Sequence, residues 1–376
     1  MTLLTIHSSH LSSNKMNRLT ILTLCSIVLS AAIFFYKKRN PTTISIGKGL
    51  VINKDWLIRN KNPITPKDYN RPADQTFLTF PEWYLVFSPY EQATYFKKHT
   101  SSSFPYMSHV NQFWQSYKII NQQIKGNFPY NTGYHFMIWV IGISTTVEYA
   151  LKALYETTIG RLTDTKEVLT EEDIFTAKFT QDYVDFIKDK PWYEFDFKSR
   201  LVSLWKNTSF FGEHFFRKLD RKYILSSELI VKFLYSKLIG LGTKTVYDAA
   251  MPTTEVLVEN IPQNDQKLKI IKQYQDKSAI ISLPRYDKFN AAIVELATKG
   301  IVFKEIAGNN SAILLSVLMP TSSNLVFENT QTVFIQPFAT DPKMQRIAVA
   351  IPVKDLNKLL VKLDENNIKI EHIFDY

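Results

Sequence analysis

The spacing of apolar and polar positions divides the chain into stretches of different rhythm. Residues 19–36, from Leu19 to Tyr36, hold no charged side chain. As a helix they would rise about 27 Å, close to the hydrocarbon thickness of a bilayer. Residues 41–79 show no sustained period and carry Pro41, Pro63, Pro66 and Pro72, which predicts a tether ending in a loop. Residues 80–250 follow a helical period. Ser88-Pro89-Tyr90-Glu91 reads as a helix start, with Ser as cap, Pro at the first position and Glu at the third. Pro105, Asn131 or Thr132, and Thr170-Glu171-Glu172-Asp173 open further helices; 195–207 and 211–243 supply two more. Residues 251–274, with Pro252 and Pro262, read as a linker.

Beyond residue 275 the rhythm changes to short β runs and two amphipathic helices. The expected order is β-α-β-β-(β)-β-α-β, with Gly308-Asn309-Asn310 as a hairpin turn, the pattern of a ferredoxin-like sandwich. The predicted fold class is therefore α+β. It has a transmembrane anchor over 17–40 behind a tail 1–16, a tether 41–79, an aromatic-rich helical domain 80–250, a linker 251–274 and a ferredoxin-like domain 275–376.

The apolar segment reads as an uncleaved single-pass anchor and not a signal peptide, because Ile33-Phe34-Phe35-Tyr36 continues past the small residues Ser30 and Ala32. Lys15 and Arg18 precede it, and Lys37, Lys38, Arg39 and Lys48 follow. That count favours a cytoplasmic body, although the missing cysteines beyond Cys25 suit either side.

Thr79-Phe80-Pro81-Glu82-Trp83-Tyr84 is the most distinctive string, followed by blocks at 142–152 and 155–161. It resembles a motif of an uncharacterised family of bacterial membrane-anchored proteins. The resemblance spans about residues 75–240. It implies an anchor-plus-body architecture at the bacterial inner membrane and no activity.

Chemistry narrows the choice further. The lone Cys25 excludes a disulfide framework and cysteine-based metal sites, and the seven His lack ligand spacing, so no metal and no cofactor is expected. Of 45 basic residues only ten are Arg, and they are dispersed, which argues against nucleic acid despite a net charge of +10. Glu82, His109, His135 and Glu148 are the candidate catalytic groups, lying among aromatics that could line an apolar pocket. Glu148, Lys152 and Glu156 form an i, i+4, i+8 ladder beside the uncharged run Phe136–Val147. Arg217, Lys218, Arg221 and Lys222 open an amphipathic helix suited to lipid headgroups. The expectation is a membrane-anchored binding or structural module of the bacterial envelope. Its C-terminal domain would serve self-assembly or ligand sensing. The alternative is a membrane-tethered hydrolase or lipid-modifying enzyme.

Overall fold

The structure, a computed structural model, describes residues 46–49, 51–58, 63–72, 74–166, 168–243, 252–261, 268–323 and 327–374. The apolar segment 19–36 lies outside them. The rest is a mixture of helices and antiparallel sheets.

Among the described residues, strand β1 (Gly47–Lys48) is followed by the longer helices α1 (Gln75–Phe96), α2 (Tyr106–Ile124), α3 (Thr132–Tyr155), α4 (Glu171–Ile187), α5 (Phe197–Asn207) and α6 (Phe215–Thr243). Local chemistry explains several starts. The Asn131 side chain accepts the Tyr134 N–H, and Thr170 and Asp173 close a reciprocal capping box. The expected start at Ser88 is overturned: α1 runs unbroken through Pro81 and Pro89. Each proline forfeits one backbone hydrogen bond. Burial of Phe77, Phe80, Tyr84 and Phe87 on the same helix outweighs that loss, at roughly 1.5–3 kcal/mol per large apolar side chain.

Helices α2 and α3 touch closely at Gly142. A Cβ there would lie 2.4 Å from Phe113 Cε1 and 2.8 Å from the Trp114 ring. Gly142→Ala is expected to destabilise the fold by about 1–3 kcal/mol through overpacking, read as a lower urea midpoint.

The predicted linker is instead strand β2 (Thr253–Glu259) and strand β3 (Lys269–Gln273). After them come β4 (Ala279–Pro284), α7 (Asp287–Thr298), β5 (Val302–Ile306), β6 (Ala312–Pro320), β7 (Gln331–Pro337), β8 (Met344–Pro352), α8 (Leu356–Glu365) and β9 (Lys369–Ile373). The expected single ferredoxin-like sheet is replaced by two antiparallel sheets, β3-β4-β2-β5 and β1-β7-β8-β6-β9. The Gly308–Asn310 turn therefore does not close a hairpin; it carries the chain from one sheet to the other.

These two sheets are built by one connection used twice. In β2-β3-β4-α7-β5, strands β4 and β5 flank β2. In β6-β7-β8-α8-β9, strands β8 and β9 flank β6. Both are split β-α-β units with a third strand on the outside. The register irregularities also coincide: β2/β5 and β6/β9 each shift, as do β3/β4 and β7/β8, while β2/β4 and β6/β8 are regular. The units differ at the outer edge. Strand β1 covers β7, whereas β3 is exposed along its length.

One apolar core joins the helices to the sheets. Phe80 packs on Phe334 of β7 and on Phe374, with ring centroids 4.8 and 5.3 Å apart. Polar ties reinforce the join. Gln112 Nε2 donates to the Pro337 carbonyl at 2.7 Å, and the buried Glu305 carboxylate accepts from the backbone of Ile64 and Thr65.

Candidate functional site: a polar cavity inside the helical domain

Helices α1, α3, α4 and α6, with Tyr106 of α2, enclose a cavity of about 100 Å³. Helices α3 and α6 run antiparallel beside it. Their i, i+4 pairs Glu148/Lys152 and Glu228/Lys232 interlock into a ring of alternating charge. Lys152 Nζ lies 3.0 Å from Glu148 and 2.9 Å from Glu228, and Lys232 Nζ lies 3.1 Å from Glu148 and 3.0 Å from Glu228. Burial alone would raise the Glu148 carboxyl. The two ammonium groups outweigh it and bring Glu148 down to about 2. The same carboxylates hold both lysines above their ordinary range against their own desolvation. All four groups are therefore charged near neutral pH.

A second, fully buried network lies at the end of α3, where the helix widens into a π turn over Glu156–Gly160. Arg221 reaches Glu156 at 2.6 Å and Asp220 at 2.8 Å. Arg217 reaches Asp173 at 2.6 Å and donates to Ser102 Oγ at 3.0 Å. Ser101 and Ser102 hydroxyls also donate to Glu156, each at 3.0 Å. A glycine is required at the end of the π turn, because a Cβ on Gly160 would sit 2.2 Å from Glu156 Oε2. Lys222 pairs with Glu172 at 3.3 Å and Lys218 with Glu171 at 3.6 Å.

This corrects the expectation for Arg217, Lys218, Arg221 and Lys222. All four are buried and paired with acids, so they cannot meet lipid headgroups. Their partners lie on α4, on the π turn and on α6 itself, and most are remote in sequence.

The four candidate acids and bases do not converge. Glu82 faces Tyr134, whose hydroxyl donates to it, and burial raises its pKa. His135 bonds Tyr117 at 2.8 Å and stacks on Tyr130 with centroids 4.2 Å apart. Only His109 and Glu148 belong to the cavity region, and His109 reaches it through a residue not expected to matter. Ser88, on the cavity wall, places Oγ 2.9 Å from His109 Nδ1 and 2.8 Å from the Tyr149 hydroxyl. On the far side of the imidazole, Nε2 lies 3.7 Å from Glu91 Oε2. Glu91 in turn faces Arg346 at 3.5 Å, which is held by Glu371. The signal for Ser88 and Glu91 was present in the sequence as Ser-x-x-Glu. The string has the spacing of a capping box, but inside a continuous helix it presents both side chains to His109 of α2.

The outer side of the same helices is apolar. Phe136, Ile143 and Leu151 of α3 are 70%, 52% and 55% exposed, and Val231, Leu234 and Leu238 of α6 are 63%, 60% and 67% exposed. Thr132–Thr163 is long and apolar enough to cross a bilayer, and 28% of its most apolar window is buried. An aromatic cluster, Phe210, Phe211, Phe215 and Phe216, stands at the start of α6. Among the described residues no group of His, Cys, Asp and Glu is arranged to hold a metal ion. No protein-family model, no curated protein and no solved structure matches the chain.

Proposed function

We propose that the protein is a membrane-seated binding module. The segment 19–36 anchors it, the outward stripes of α3 and α6 rest on the lipid surface, and the charged cavity behind them takes a small polar ligand. The observation that carries this reading is the outer face of α3. It is uncharged from Phe136 to Val147, yet turned away from the core. Contiguous exposed apolar surface on that scale marks an interaction site. The route of the chain supports lipid as the occupant. Ile46 is pinned by its N–H to Gln115 at 2.7 Å, next to Trp114, which packs on Trp139 of the stripe at 5.1 Å. Nine residues separate Tyr36 from Ile46, a reach of at most about 35 Å. The bilayer that receives the anchor is therefore within reach of the stripe.

Because Arg217, Lys218, Arg221, Lys222 and Lys232 of α6 are paired with acids of the body, with Lys237 exposed beside the stripe, the seat is mainly apolar rather than electrostatic. Association of the body with lipid should change little with salt or with anionic lipid content.

Cys25 is the lone cysteine, so Cys25→Ser combined with Ile143→Cys gives the full chain a single labelling site on the stripe. In vesicles, an environment-sensitive fluorophore at 143 is expected to shift to the blue and to be quenched by spin-labelled lipid. A label at Lys358→Cys, on the exposed side of α8, should report water. Aqueous emission at both positions would defeat the proposal. Shielding at 143 that follows protein density and ignores the quencher lipid would assign the face to a second copy of the chain instead.

A further inference from the structure

We infer that Ser88 is a nucleophile, activated by His109 and oriented through Glu91, that accepts a short acyl group from a small ester bound in the cavity. This goes beyond the membrane reading and does not depend on it.

Three observations carry the inference. The first is the hydrogen-bond directionality of the relay. Gln92 Nε2 donates to the Tyr149 hydroxyl, which can donate to Ser88 Oγ at 2.8 Å. Ser88 Oγ–H can then donate to His109 Nδ1 at 2.9 Å, a nitrogen that the Tyr84 hydroxyl approaches only to 3.4 Å. With Nδ1 as acceptor, the imidazole proton sits on Nε2, the nitrogen that faces Glu91. A hydroxyl bonded to a neutral imidazole whose other nitrogen faces a carboxylate is the arrangement that nucleophilic acyl transfer needs.

The second observation is an unmet group. His109 is fully buried, and its Nε2 has no hydrogen-bond partner; the Glu91 carboxylate stands 3.7 Å away, outside bonding distance. A purely structural buried histidine satisfies both nitrogens, because an orphaned N–H costs about 1–3 kcal/mol. A base that is to become an imidazolium instead needs the carboxylate close and able to tighten when the charge appears. Burial, with Arg346 nearby, holds His109 down at about 3, so it is neutral near pH 7 and a weak base until Glu91 closes on Nε2 to stabilise the charge.

The third is the cavity itself. Ser88 lines it together with Tyr149, Lys152 and Lys232. A cavity of about 100 Å³ is well below the roughly 300–1,000 Å³ of sites for drug-sized ligands, so the acyl group is short.

Ser88 Oγ bonds to the ester carbonyl carbon while its proton passes to His109 Nδ1, and the carbonyl electron pair moves onto oxygen. On collapse the bond to the alkoxy oxygen breaks, and that oxygen leaves with the proton from His109. Water then gives a proton to His109 as its oxygen bonds to the acyl carbon; the bond from that carbon to Ser88 Oγ breaks, Oγ takes the proton back from His109, and the acyl group leaves as a carboxylic acid.

The test uses the full chain in membranes or detergent and a small reagent, methanesulfonyl fluoride. Ser88 Oγ would bond to sulfur as fluoride leaves. The expected result is a single sulfonyl adduct mapped by peptide mass to Ser88, absent from heat-denatured chain. His109→Asn should slow its formation by at least tenfold, and Glu91→Gln should slow it less. No adduct on the folded chain, or an adduct on another residue, overturns the inference. That mapping is made on the unaltered protein, so it decides the matter even where Ser88→Ala fails to fold.

Discussion

Arg221→Met is expected to lower the free energy of unfolding by about 3–5 kcal/mol, the range found when one partner of a buried ion pair is removed. The guanidinium holds Glu156 and Asp220 together, and methionine would leave both carboxylates in a region with little water. Burial opposes ionisation of Asp220, and Arg221 is the main reason its pKa is nevertheless lowered. Arg217, 3.6 Å from Asp220, would compensate part of the loss there but not at Glu156. Adding Glu156→Gln to Arg221→Met should therefore recover a measurable share of the stability. Urea unfolding of the three proteins checks this. If Arg221→Met has a wild-type midpoint, water reaches the network and the burial described above is wrong.

Between pH 5 and pH 8 the wild-type chain is expected to lose about 2.5 kcal/mol of stability relative to Glu91→Gln. In the unfolded chain a glutamate ionises near 4.5. In the fold, burial raises Glu91 to about 7, with Arg346 lowering it and Glu371 raising it. The groups facing its carboxylate are Arg346, the Thr340 hydroxyl at 3.4 Å and His109. The folded state thus holds the proton more tightly than the unfolded state. The contribution is fully present below pH 4.5 and is lost as pH rises through 7. Glutamine keeps the size and the acceptor toward Arg346 without the titration, and Arg346 keeps its two bonds to Glu371. Urea midpoints of both proteins at pH 5, 6.5 and 8 should diverge as pH rises. Parallel curves would show that another group sets the slope.

Local rules made much of the helical domain legible. Asn131, Thr170 and Pro105 each mark a start within a residue or two of where the helix begins, because a cap or a proline acts on its own turn. Ser88-Pro89 misled for the same reason. The string satisfies a cap locally, and only burial of the whole of α1 overrides it. Thr253–Glu259 carries β-branched residues that favour a strand, yet flanking prolines and polar residues masked it. The repeated β-β-β-α-β unit left no repeated string to find, since a strand needs only apolar residues of suitable shape. Arg217 and Arg221 lay on a helix with an apolar side, a pattern compatible with a surface. Most of their acidic partners are 44 to 65 residues away along the chain, a separation no periodicity encodes. Of the candidate site, His109 and Glu148 were visible as residue types. The relay that gives His109 a role was not, because Ser88 and Glu91 already had a local explanation.

The pairing of β1 with β7 has a consequence for biosynthesis. Gly47 lies opposite Ile335, so the first described strand cannot be completed until nearly the whole chain has been made. At about 5–20 residues per second, Ile335 emerges from the ribosome roughly 15–60 s after Gly47. The helices are synthesised in that interval, and the face of α2 that later receives β7 stays wet until the second unit arrives. Growth of the fold is therefore closed from both ends. The late strand is what finally fixes the early segment, and a chain halted before residue 331 would leave Ile46–Gly49 without its sheet.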